Sequence, residues 1–431
     1  MIPSAMSKSL AEWLQHLETL HPVGIDMGLE RVSTVAERMG LLESPIAKHV
    51  VIVAGTNGKG STVAMAEAIA LAHEVRVGAY SSPHLLRYNE RVRIGGREID
   101  DEPLVDGFER VERARLQAPE VSLTYFEAGT LCALWCLAQA DLDLAVLEVG
   151  LGGRLDAVNI IDADVAVVTT IAQDHASFLG TDIAKIGLEK AGIFRPLRPA
   201  ILGSQTMPSS VAETAIGMAA PVYRLGLAFS HSSDGVPGQP WCWHGLTVEG
   251  DTVSLDALPD PGLPVDNAAT ALQALALTGL ALKPGITQSA LKQVTLPGRM
   301  QWIGQWCLDV GHNPHAAAYL AQRLLAPPEG GRQWALMGML DDKDADGVIA
   351  ALAPRVTDWV CVTLEGERGR KASELAKRIE SHGGRVYGCA DSPQAGADIL
   401  ASQLAPQDRV LAFGSFVTVA ALLTRPLPQA Q

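Results

Sequence analysis

Residues 49–74, HVVIVAGTNGKGSTVAMAEAIALAHE, constrain the fold more than any other stretch: an apolar run stops in glycines around Lys59, and a helical pattern begins. A strand, a glycine-rich turn and a helix together make a cradle for an anion. Backbone N–H groups at the turn and the helix N-terminus point at the anion, and the lysine adds a full charge. Glycine lets the backbone approach oxygens that a Cβ would block. Asn57, Gly58, Lys59, Gly60 and Ser61 therefore read as a loop for nucleotide phosphates. The match to G-x-x-x-x-G-K-[ST] is imperfect, since Val53 replaces the first glycine and Gly60 displaces the hydroxyl by one. An ordinary glycine turn is the alternative.

Further runs repeat the pattern of strand followed by helix. VVIVAG precedes a helix from Ser61, VRVGAYSS ends at Ser82, DLAVLEVG ends at Gly150 and DVAVVTTI ends at Ile171. Continuous rather than alternating apolar residues indicate strands covered on both faces, as in a parallel sheet. Between 200 and 262, HSSDGVPGQPWCWHGLTVEGDTVSL reads as short antiparallel strands, and VDNAATALQALALTGL restores a helix. Beyond TLPGRMQ, the runs WALMGML, DWVCVTL, GRVYGCA and RVLAFGSF read as strands of a smaller unit. The expected fold class is α/β: a P-loop parallel-sheet domain over residues 1–297 and a smaller Rossmann-like domain over 298–431. A length of 431 residues agrees with two or three domains.

A net charge of −14 argues against a nucleic-acid partner, because phosphate neutralisation needs clustered Lys and Arg. No secretory signal pattern opens the chain and no apolar run reaches membrane-spanning length, so neither export nor a membrane partner is expected. Six scattered cysteines without C-x-x-C spacing read as reduced thiols, and the cytoplasm is the expected location.

In an open parallel sheet, ligands bind beyond the carboxyl ends of the strands. Ser82, Glu148, and Asp174 with His175 each fall just past such an end. Each has a plain alternative: Ser82 as a cap before Pro83, Glu148 as an arginine's partner, His175 as a loop residue. Their convergence beside a phosphate loop suits Mg²⁺, which takes oxygen ligands.

GTNGKGST, SSPHLLRYNERVRI, LEVGLGGRLDAVN, DHASFLG, EKAGIFR, LPGRMQ, DVGHNPHAA and FGSFVTVA together resemble the bacterial dihydrofolate synthase/folylpolyglutamate synthase family. That family is a branch of the Mur ligases, ATP-dependent enzymes that form amides. The blocks follow the family's order across almost the whole chain. The resemblance implies that Asn57, Gly58, Lys59, Gly60 and Ser61 hold ATP phosphates, with Asn267, Arg299 and Asp309 also on the nucleotide. It implies Ser82, Glu148 and His175 as ligands of Mg²⁺, two ions in all, and Lys190 as a carbamate that helps hold the second. Lys59, Glu148, His175 and Lys190 are the expected catalytic set.

The same resemblance puts the pterin against Met27, Gly28, Leu29 and Glu30, against Thr124, Tyr125, Phe126 and Glu127, and against Leu155, Asp156 and Ala157. Phe126 suits a stacking wall, and a core phenylalanine equally. His312 and Ser415 would neighbour the glutamate. Serine stands at 61 and 81 where the family often has threonine, and Gly311 where it often has alanine.

The implied reaction is phosphorylation of a carboxylate by ATP, then attack of the L-glutamate amine on the acyl phosphate. The expected partners are dihydropteroate, reduced folates and L-glutamate, with the enzyme a monomer. The pterin motifs favour the bifunctional form over a monofunctional folylpolyglutamate synthase. A peptidoglycan Mur ligase usually has a domain of about a hundred residues before its P-loop; here 54 residues precede Gly55. A nucleotide-gated binding module would need no glutamate.

Overall fold

A computed structural model describes residues 8–174, 176–233 and 236–430, with the side chains of Ala176 and Ser177 excepted. Contacts divide it into two units, one of residues up to 171 with 182–294, the other of 172–181 with the chain from 295.

The first unit is built on eight strands. Their spatial order is Arg97–Glu98, Val92–Ile94, Val77–Tyr80, Leu142–Glu148, Ala47–Ala54, Val165–Val168, Ala200–Leu202 and Val222–Arg224. The first two pairings are antiparallel and the remaining five parallel, and parallel sheets of this kind are covered on both faces. From the central strand Ala47–Ala54 the chain moves to Val77–Tyr80 on one side and later to Val165–Val168 on the other. This is where such sheets open a crevice beyond their carboxyl ends. Register aligns those ends, pairing Val53 with Glu148 and Ala54 with Val168.

Helix Lys59–Ala72 leaves the central strand and packs against Val265–Leu277 and Pro284–Gln293. On a second core, Tyr125–Ala138 lies against Asp101–Arg115. The 200–262 region contains the expected antiparallel sheet, ordered Thr252–Leu258, Trp241–Leu246, Ser230–Ser232.

The second unit has six strands, ordered Gln301–Ile303, Trp306–Asp309, Arg409–Phe413, Gln333–Met337, Asp358–Val362 and Val386–Ala390. The last five run parallel, and Gln301–Ile303 turns back on its neighbour as a hairpin. That hairpin is absent from the sequence reading; its signal is the two-residue turn Gly304-Gln305, with Gly304 at φ +59°. Among the described residues no helix is long and apolar enough to cross a membrane.

Candidate active site

The glycine-rich loop expected to hold phosphate is shaped by the strand beside it. Thr169 and Thr170 follow Val165–Val168, and both hydroxyls donate to the Asn57 carbonyl, at 2.7 and 3.0 Å. Thr170 returns two contacts, accepting Thr56 N–H on its carbonyl at 2.7 Å and Asn57 N–H on its hydroxyl at 3.1 Å. These bonds end the strand at Val168, three residues short of the apolar run read from the sequence. Gly55, at φ +150°, lies so close that a Cβ would sit 1.9 Å from Thr169 Oγ1. Gly58, at φ +90°, precedes the helix and meets Asn267 in the same way, with a Cβ 2.6 Å from Nδ2. Asn267, 3% exposed, donates to Ser61 Oγ at 2.8 Å. The sequence-distant Asn267 thus sits on the loop itself.

Two ammonium groups share one carbonyl. Lys59 Nζ lies 3.1 Å from Gly55 O, and Lys190 Nζ, on the buried side of helix Ile183–Ala191, lies 3.0 Å from the same atom. Lys59 also donates to Thr56 O at 3.4 Å. Two ammonium groups on one carbonyl beside a helix N-terminus put positive charge where an anion would be favoured. Glu148, 6% exposed, ends its strand in register with Val53, and Ser82 lies two residues past Val77–Tyr80. His175 lies outside the described residues.

Ser82 is held through its neighbour. Ser81 Oγ accepts from Arg93 at 3.0 Å, and Arg93 is paired with buried Glu67 at 2.8 Å. Among the described residues no three His, Cys, Asp or Glu groups converge for a metal. Ser82 and Glu148 nevertheless fit Mg²⁺, a hard ion commonly held by one or two protein oxygens together with phosphate and water.

The loop after Glu148 folds over Asp156. Its Oδ2 accepts from Leu151 N–H at 2.8 Å and its Oδ1 from Val158 N–H at 3.0 Å. Burial raises its pKa to about 6, against which the backbone bonds and nearby Lys59 act. Because the folded form then holds the proton more tightly than the unfolded chain, stability falls as pH rises from about 4 to about 6. In urea unfolding, the advantage of wild type over Asp156→Asn is expected to shrink by about 2 kcal/mol from pH ~4.5 to ~7.5. A constant difference would mean that Asp156 is ionised throughout.

The other residues expected at the pterin gather near this loop. The Phe126 ring lies against Gly150, where a Cβ would be 2.4 Å from its Cζ, and Met27 Cε is 3.1 Å from the corresponding point on Gly152. Leu29 precedes helix Glu30–Arg38, whose Glu30 side chain is exposed. Thr124 and Glu127 form a capping box at helix Tyr125–Ala138, so both side chains are engaged in holding its start. Leu155 is half-buried and Ala157 buried beside Asp156.

Two arginines that the sequence reading passed over bind this region together. Arg31 bonds Asp26 at 2.7 Å and buried Glu127 at 3.0 Å, fixing the 26–31 turn to the helix. Arg91, 7% exposed, lies over the rings of Tyr88 and Tyr125, 4.9 and 5.6 Å from their centroids. Its Nε–H donates to His84 Nδ1 at 2.9 Å; burial and that guanidinium hold His84 below its usual pKa. The arginine of "NERV" was the available signal.

In the second unit, Asp309 ends its strand fully enclosed, accepting from Met300 N–H at 2.8 Å and Gly311 N–H at 2.7 Å. Burial raises its pKa while Arg299 opposes the rise. Arg299 lies over Phe416, 5.0 Å from the centroid. Asp174 collects His312 Nε2 at 3.3 Å, Asn313 Nδ2 at 3.2 Å and Lys343 Nζ at 2.5 Å. Ser415 caps helix Phe416–Leu423, accepting from Thr418 N–H at 3.0 Å. Lys343, in the run LDDKDAD, is not among the residues singled out from the sequence.

Residues 53–215 match the Mur ligase middle domain, and residues 298–416 match the Mur ligase, glutamate ligase domain. With a phosphate loop on one parallel α/β unit and a second such unit following, the class is that of the Mur-type ATP-dependent ligases. The dihydrofolate synthase/folylpolyglutamate synthase of Escherichia coli is 46% identical over 424 residues, covering 97% of this chain and 95% of that protein. The Haemophilus influenzae protein of the same name is 40% identical, covering 95% and 96%. The chain belongs to the dihydrofolate synthase/folylpolyglutamate synthase family. Among solved structures, E. coli FolC in complex with DHPP and ADP superposes with a TM-score of 0.90 at 45% identity, covering 97% of each chain. A bifunctional folylpolyglutamate synthase/dihydrofolate synthase with Mn, AMPPNP and L-glutamate bound gives 0.87 at 44%, covering 97% and 98%.

Proposed function

We propose that this chain uses ATP to join L-glutamate to dihydropteroate, forming dihydrofolate, and to the γ-carboxylate of reduced folates. The observation that carries this is the meeting of Lys59, Lys190 and the Glu148 strand end at one sheet edge. It occurs in a chain 46% identical, over nearly its full length, to a protein named for both activities.

Phosphoryl transfer asks a protein mainly for alignment and charge neutralisation. Asn57, Gly58, Gly60 and Ser61 would hold the triphosphate through backbone amides, with Lys59 opposing charge at the γ-phosphate. Ser82, Glu148 and His175 are the assigned Mg²⁺ ligands, with the Lys190 carbamate at a second ion. The ions, when bound, supply positive charge to the phosphate and carboxylate oxygens. Asn267, which already bonds Ser61, orients the nucleotide side, and Arg299 and Asp309 are assigned to it as well. The pterin is assigned to the Met27–Glu30, Thr124–Glu127 and Leu155–Ala157 segments. Since the carboxylates of Asp156 and Glu127 are engaged by backbone amides and Arg31, they define the shape of that region as well as its polarity.

The acyl phosphate so formed is attacked by the glutamate amine, and phosphate leaves from a tetrahedral intermediate. His312 and Ser415 are assigned to glutamate. Residues 1–297 are assigned to ATP and 298–431 to glutamate ligation, in a monomer acting in the cytoplasm; six unpaired cysteines agree with that location.

The test is ADP release with dihydropteroate, tetrahydrofolate or a UDP-sugar peptide, each with and without glutamate. Release is expected with both pterin substrates and only when glutamate is present. Turnover of tetrahydrofolate alone would make the enzyme a monofunctional folylpolyglutamate synthase, and glutamate-independent release would overturn ligation.

A further inference from the structure

The six cysteines form no disulfide, and two pairs lie close together. Cys132 and Cys136, one turn apart on a helix, are both buried and donate to the carbonyls of Leu104 and Pro103, at 3.4 Å each. Nothing in solution can reach them. Cys361 and Cys389 differ in that one member is exposed. They are register partners on the adjacent parallel strands Asp358–Val362 and Val386–Ala390, the second of which forms the edge of its sheet. The irregularity in this pairing, between Trp359 and Val360, comes before them.

Neighbouring strands lie about 4.8 Å apart, within the roughly 4.4–6.8 Å between Cα atoms that a disulfide bridges. Cys361 is fully buried and Cys389 is exposed. The two thiols sense each other: burial pushes the Cys361 thiol up, and Cys389 beside it pushes further. Neither takes part in the ligase chemistry proposed above.

We propose that Cys361 and Cys389 form a thiol–disulfide exchange site that is oxidised by a small-molecule disulfide such as glutathione disulfide. Access sets the order of events. The Cys389 thiolate attacks one sulfur of the oxidant; that S–S bond breaks, and one glutathione leaves as its thiolate. Cys361 then attacks the Cys389 sulfur, its proton passing to the departing glutathione sulfur, and the second glutathione is displaced. The protein has lost two protons and two electrons, and the oxidant has become two thiols. Cys361 cannot enter first, because no bulky disulfide reaches a fully buried sulfur.

The full-length protein is incubated with glutathione disulfide, then alkylated, digested and mapped by mass spectrometry. The expected product is a cross-linked peptide pair containing Cys361 and Cys389, with both thiols lost to alkylation and restored by dithiothreitol. Cys361→Ser is expected to stop at a glutathione adduct on Cys389, and Cys389→Ser to leave Cys361 unmodified. Two results would overturn the proposal: wild-type protein that keeps glutathione on Cys389 without the cross-link, and wild-type protein in which both thiols stay free. The wild-type map decides the matter even if a variant folds poorly.

Discussion

Replacing Lys59 with alanine is expected to lower kcat/KM roughly 150-fold, about 3 kcal/mol of transition-state stabilisation. Lys59 opens helix Lys59–Ala72 directly after Gly58, so its ammonium and the helix's free N–H groups act on the same space. As charge shifts during phosphoryl transfer, a fixed cation in a partly enclosed site is worth far more than the same cation in water. In the structure that ammonium rests on the carbonyls of Gly55 and Thr56, partners it can leave without stranding a buried charge. The fold should therefore survive the substitution, and unfolding in urea should move little. A second readout tests the placement: Lys59 is one of the groups holding Asp156 down, so its loss should raise the Asp156 pKa above about 6. A variant with near-normal kcat/KM for dihydropteroate would remove Lys59 from the reaction.

The parallel sheet was legible because burial on both faces demands unbroken apolar strands, and VVIVAG, DLAVLE and DVAVV have that character. Strand order was not, since no local pattern tells Leu142–Glu148 to slot between Ala47–Ala54 and Val77–Tyr80. The glycine-rich turn from strand to helix announced itself through Gly58 and Lys59. Its supports did not: Thr169 and Thr170 lie more than a hundred residues away, and threonine after an apolar run resembles a continued strand. For the same reason nothing in the sequence pairs Arg31 with Glu127 or Arg91 with His84; folding places them together. Residue type and a turn signal disclose where a ligand can approach; the groups that fix its surroundings are chosen by tertiary contact.

Lys343→Met is expected to destabilise the second unit by about 3–5 kcal/mol, the range for stranding one member of a buried ion pair. Lys343 and Asp174 have side chains 6% and 9% exposed and lie 2.5 Å apart, although 169 residues separate them in sequence. Without the ammonium, the Asp174 carboxylate retains His312 and Asn313 at longer range, 3.3 and 3.2 Å. Neither offers a permanent positive charge to offset its desolvation. Lys343 also anchors a loop, since its carbonyl accepts from Arg370, which bonds the Asp341 carbonyl too. The backbone bonds persist in the methionine variant, so the loss isolates the charge. Adding Asp174→Asn should return most of the stability, because an amide carries no charge to desolvate. Hydrogen exchange of the 172–181 segment should rise in Lys343→Met and fall back in the double variant. Unchanged urea unfolding in Lys343→Met, or a double variant no better than the single, would mean that water already screens this pair.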